Sequence, residues 1–163
     1  MSSSSGASSA HGQACAGLIG AIANNSIGAV GVAYDAQIVP INTWFGSAYL
    51  GFQHACDPQV NADIISCSWG WYENPSQAIE NDINLCRTLG RGGKGTVIVC
   101  SAGNSNCNND DLSSCPNILT KIFPGTLPDV IGVIASNPKD GRKNPDDGWH
   151  GGETKRRWRD ATV

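Results

Sequence analysis

Apolar residues in this chain come in short continuous runs, separated by stretches with helical spacing. From His11 the small and apolar positions Cys15, Leu18, Ile19 and Ile22 predict a helix. Asn24-Asn25 is its expected stop, because Asn commonly ends helices. The Ser-rich residues 1–10 before it predict a loop or frayed end. Ile38-Val39-Pro40-Ile41 marks a strand within Ala36–Thr43, and residues 46–56 are weakly helical. Ile64-Ile65 centres a short buried strand over Ala62–Ser68. Pro75–Leu89 carries Ala78, Ile79, Ile83 and Leu85-Cys86, the clearest amphipathic helix, with Gly90 just past its end. Thr96–Cys100 is a β-branched strand, 103–117 a polar loop, and Val130–Ile134 another strand.

Strands that alternate with helices and read as continuous apolar runs predict an α/β fold with a parallel, doubly covered sheet. In such a sheet ligands bind beyond the carboxyl ends of the strands. Two segments fall there: Ser68-Trp69-Gly70 after one strand, and Ser101-Ala102-Gly103-Asn104 after another.

Composition narrows this picture. A length of 163 residues suits one domain, and 40% hydrophobic content supports a core. A net charge of −3 gives no reason to expect nucleic acid as a partner. No apolar run reaches the roughly 18 residues of a membrane span, and Met1 is followed by a Ser/Gly/Ala stretch without the features of a signal peptide. The 7 cysteines cannot all pair internally. Cys15, Cys67 and Cys100 lie in apolar stretches and read as small buried hydrophobes. Cys107 and Cys115 flank a polar loop, and two readings fit them: a local disulfide, or two loop thiols. No Cys/His spacing matches a structural zinc site.

Three segments carry the candidate chemistry. His11 opens His-Gly-Gln-Ala-Cys-Ala-Gly, where small residues let a helix lie close to a sheet with the ring facing a cleft. Ser68-Trp69-Gly70 leaves a strand and could pair with a peptide by strand addition. Ala102-Gly103 lets a substrate backbone approach, and Asn104 could aim its amide at a developing oxyanion. In this order the blocks resemble the subtilisin-like (subtilase) serine proteases, whose helix motif is His-Gly-Thr-x-x-Ala-Gly. His11–Gly17 matches it except at Gln13, which bears on the hydrogen bonding around His11. Asn24–Gly28 with Gly31-Val32-Ala33, Ser66–Gly70, Val97–Asn104, and Phe123-Pro124-Gly125 with Pro128–Val133 match further blocks in family order.

The resemblance implies roles. His11 is the general base, Asn104 the oxyanion donor, and Ser68, Trp69, Gly70, Ala102 and Gly103 line a peptide cleft. Small residues there would leave room for a bulky side chain. Asn25 matches a position that binds a structural calcium in many members, and the chemistry itself requires no cofactor. Partners are peptide or protein substrates, with neither nucleic acid nor membrane. Members are often secreted.

Two triad members of the family pattern do not occur in these residues. No acidic residue precedes His11, and no Gly-Thr-Ser follows Asn104. The resemblance therefore divides the chain into a flexible 1–10 segment, a partial catalytic domain over 11–145, and an atypical tail over 146–163. That tail carries Lys155, Arg156, Arg157 and Arg159 with Trp149 and Trp158, and is expected to be an out-of-frame or broken end. The leading reading is a truncated, inactive part of a serine endopeptidase. The alternative is a non-catalytic peptide-binding module. A nucleotide site at Gly90–Gly95 is disfavoured, because this Gly-rich stretch precedes a strand where a phosphate loop should follow one. A sheet lacking its first strand is expected to be marginally stable and to self-associate through exposed edges.

Overall fold

The computed structural model describes residues 7–43, 48–70, 76–103 and 123–136. The chain forms two compact units, Met1–Asn42 and Thr43–Val163.

The first unit is one helix and its return. α1 spans Ala7–Gly20. It starts four residues before His11, so residues 7–10 are helical and His11 stands in the second turn, not at the helix start. It also ends before Asn24-Asn25. The reason is in its carboxyl end, whose last carbonyls lack partners inside the helix. Here the returning chain supplies two of them: Val32 N–H donates to Leu18 O at 3.1 Å and Ala33 N–H to Ile19 O at 2.7 Å, while just past the helix Gly31 N–H donates to Ala21 O at 2.9 Å. Between the helix and this return the backbone turns through left-handed conformations at Asn24, Ser26 and Gly28, which Asn and Gly accept more readily than other residues. The close approach leaves no room at Gly31, where a Cβ would sit 2.4 Å from Ala21 N.

The strand expected over Ala36–Thr43 does not form. A strand needs a ladder neighbour, and the described sheet of three strands does not include this stretch. Ile38 instead rests against Gly20, where an added Cβ would meet Ile38 Cδ1 at 3.1 Å. Leu18 and Ile22 remain exposed, and Cys15 is half-buried where a buried position was expected.

The second unit has the predicted α/β order. α2 covers Ala48–Cys56, β1 Ile64–Cys67, α3 Gln77–Gly93, β2 Val97–Ser101 and β3 Ile131–Val133. The strands are parallel in the order β1-β2-β3. Pairing of Ile64 with Val97 continues in register to Cys67 with Cys100. Ile98 and Cys100 therefore share a face with Cys67. α2 and α3 cover that face through Phe52, Ile83 and Cys86, and Phe123 completes the buried core. Residues of the opposite parity, Ile64, Val97, Ile131 and Val133, stay exposed.

α3 follows its predicted period, burying Ile83 and Cys86. Its backbone leaves helical geometry at Gly90, the expected stop. Beyond that, Gly95 has φ +82°, and a Cβ there would lie 2.2 Å from Arg87 O, so glycine is required on both counts. Polar links fix α3 to its neighbours. Gln53 Nε2 donates to both oxygens of buried Asp82 at 3.1 Å. Arg87 pairs with Asp129, ahead of β3. Arg91 Nε meets Asp63 Oδ1 at 2.8 Å, but Asp63 is 80% exposed, so this pair adds little stability. A disulfide joins Cys56 at the end of α2 to Cys86 in α3. The sequence assigned these two no bond.

The α1 return predicts that Gly31→Ala weakens the first unit by about 1–3 kcal/mol through overpacking. Amide exchange at Val32 and Ala33 should accelerate accordingly, because their bonds close the return. Unchanged protection at both amides would contradict this packing.

Candidate active site

Parallel, in-register pairing of β1 and β2 decides where the candidate residues go. Because Cys67 lies opposite Cys100, the chain leaves both strands at the same edge of the sheet. Ser68, Trp69 and Gly70 follow β1 there, and Ala102 and Gly103 follow β2 within a residue. All three β1-side residues are half-buried. Ala102 is 7% exposed, and its N–H donates to Val133 O at 2.8 Å, extending the ladder toward β3. Gly103 has φ +85°, a left-handed turn suited to glycine. The structure thus brings five sequence-predicted cleft residues to one carboxyl edge.

Trp69 is anchored from behind. Its ring centroid lies 6.3 Å from that of Phe52, with the planes tilted by 58°. That spacing falls within the range favoured by aromatic pairs.

Asn104, the expected oxyanion donor, lies outside the described residues, as do Cys107, Cys115 and the tail over 146–163. His11 belongs to the other unit. Its ring is exposed on α1, with Cys15 Sγ, one turn on, 4.0 Å from both Nδ1 and Nε2. Among the described residues no carboxylate pairs with this ring. Asn25 Oδ1 accepts from Ile27 N–H at 3.0 Å in a tight local turn. A carbonyl-type oxygen keeps a second lone pair for a cation, but calcium needs six to eight oxygens. No group of three His, Cys, Asp or Glu side chains suited to a metal occurs among the described residues.

Directly beneath the candidate edge lie Cys67 and Cys100, both buried and both free. The hydrogen bond to Cys100 pushes the Cys67 thiol far above its usual range, with burial acting in the same direction. These thiols are core hydrophobes as expected, and neither supplies a nucleophile to the edge.

A parallel α/β sheet with candidate binding segments at its carboxyl edge is the architecture of many hydrolases, and comparison with known proteins gives the family. The model of the Subtilase family matches residues 2–150. This chain belongs to the subtilase family. It is 37% identical over 131 residues to a "Calcium-dependent protease" of Trichormus variabilis, covering 67% of this chain and 19% of that protein. It is 37% identical over 136 residues to a "Dibasic-processing endoprotease" of Yarrowia lipolytica, covering 72% of this chain and 13% of that protein. With "Furin-like protease 1, isoform 1-CRR" of Drosophila melanogaster it shares 35% identity over 121 residues, covering 66% of this chain and 11% of that protein. The chain thus spans less than a fifth of the length of each of these relatives.

The raised Cys67 thiol predicts a stability loss in alkali. The folded chain keeps this proton, while the unfolded chain releases it above the ordinary thiol value of 9.0. Rising pH therefore favours unfolding, by about 1.4 kcal/mol per pH unit above that value. Denaturant midpoints between pH 7 and pH 11 should fall faster for the natural chain than for Cys67→Ala. Parallel curves would contradict the assignment.

Proposed function

We propose that the whole protein to which these residues belong is a serine endopeptidase, and that this polypeptide is part of its catalytic domain without the complete triad. The observation that carries the reading is the shared edge of β1 and β2, where Ser68-Trp69-Gly70 and Ala102-Gly103 stand side by side. An extended peptide laid along that edge meets small residues on either side, with Trp69 as an apolar wall. Family membership and the protease names of the relatives support peptide-bond hydrolysis as the reaction.

In this scheme His11 takes the proton of a serine hydroxyl as it attacks the peptide carbonyl, then returns it to the leaving amine. Asn104 donates to the oxyanion as charge develops. Neither the triad serine nor the aspartate is recognisable among the 163 residues. In subtilisin, loss of the serine alone costs about 10⁶-fold in kcat, so this polypeptide by itself is inert as a hydrolase. The domain limits that go with this reading are 11–145 for the catalytic part and 146–163 for the tail.

A relative named for calcium dependence supports a structural calcium. Asn25 Oδ1 fits as one of its oxygens, and no chemical step depends on it. Self-association through the sheet is supported by exposed Ile64, Ile131 and Val133. Sedimentation coefficients should rise with concentration, and a constant monomer value would refute this.

A fluorophosphonate probe tests the inert state directly. The purified chain should form no adduct, and His11→Ala should change nothing. An adduct that forms on the natural chain and is lost in His11→Ala would overturn it.

A further inference from the structure

α2 has only nine residues, too short to hold a helix without tertiary support. Its buried Phe52 and Ala55 supply packing, and a disulfide at its last residue, Cys56, ties it covalently to Cys86 in α3. Gln53 bonding to Asp82 adds a second tie. Phe52 stands four residues before Cys56, on the same face of α2. Its backbone carbonyl oxygen is 3.2 Å from Cys86 Sγ. Its ring is 2% exposed and stacks in tilted fashion behind Trp69. A continuous path therefore runs from the disulfide through Phe52 to the Ser68-Trp69-Gly70 segment, within one compact unit.

We propose that Phe52, held in place by the Cys56–Cys86 disulfide, is a positioning residue for Trp69, and that a dithiol reductant acting on this disulfide loosens the peptide-binding segment. The proposal rests on the reading of that segment as peptide-binding. Access favours one sulfur. Cys56 is half-buried whereas Cys86 is 1% exposed, so the reductant attacks Cys56 Sγ. A new bond forms between the reductant sulfur and Cys56 Sγ while the Cys56–Cys86 bond breaks. The electron pair goes to Cys86 Sγ, which takes a proton from water. The second thiol of the reductant then closes on its own first sulfur and releases Cys56 as a thiolate, which is protonated. Two electrons pass from the dithiol, now a cyclic disulfide, to the two cysteines. α2 loses its covalent tie, and Phe52 is no longer fixed against Trp69.

The test uses the full chain with its tryptophans replaced by 5-fluorotryptophan, read by ¹⁹F NMR, the Trp69 signal being assigned with Trp69→Phe. Dithiothreitol should shift and broaden the Trp69 signal. Phe52→Leu, which leaves the disulfide intact and nearly fills the volume, should move the same signal without reductant. Phe52→Tyr, which restores the ring, should return it toward the natural position. A Trp69 signal unmoved by dithiothreitol overturns the proposal, as does one unmoved by Phe52→Leu. If reduction unfolds the chain by circular dichroism, the Phe52→Leu and Phe52→Tyr pair decides. Anisotropy of fluorescein-labelled casein peptides on the same samples separates the two readings. A moving Trp69 signal with no peptide bound by the oxidised chain sinks the peptide-binding reading and leaves the positioning role standing. Bound peptide with a signal that neither treatment moves does the reverse.

Discussion

The pairing of Cys67 with Cys100 at the carboxyl ends of β1 and β2 is the contact on which the second unit depends. A slip of one residue would turn every side chain of a strand to the opposite face. Ile98 and Cys100 would leave the core they share with Phe52, Ile83 and Phe123. The same slip would offset the segments that follow the strands by about 3.3 Å. Core and candidate site are thus set by one register. Burial of the apolar face stabilises it, and the paired thiols seal its end without offering reactive sulfur.

The helices serve that register from one side. α3 packs Ile83 and Cys86 over the sheet and is tied through Asp82, Cys86 and Arg87 to α2 and to the turn before β3. α2 contributes Phe52, which connects the core to Trp69. The path from helix to candidate cleft is short: Phe52 touches both the core and Trp69. Where the apolar face lies open, at Ile64, Ile131 and Val133, the sheet has surface that a partner or a second copy can cover.

Much of this was legible in the sequence, and the failures have physical causes. The α3 period and the β-branched run of β2 appear because burial on one side imposes them. The family blocks gave the candidate cleft residues their order, and β1/β2 pairing brings the segments holding five of them to one edge. The carboxyl limit of α1 was missed because it is set by Val32 and Ala33 returning to its carbonyls, a tertiary event that local Asn signals do not report. The strand at Ala36–Thr43 failed because an apolar run does not supply its own ladder partner, and Ile38, Val39 and Ile41 stay exposed. Cys56 with Cys86 escaped notice because a cysteine at a core-facing helical position looks the same whether free or bonded. Half-buried Cys15 shows the converse, an apolar context without full burial.

The paired carboxyl ends of β1 and β2 are the proposed peptide-binding edge. Titrating the ¹⁵N-labelled chain with an unlabelled extended peptide and following amide shifts tests it most directly. The largest changes should fall at Ser68, Trp69, Gly70, Ala102 and Gly103. Changes centred elsewhere in the second unit, with those five amides unmoved at saturation, would contradict it.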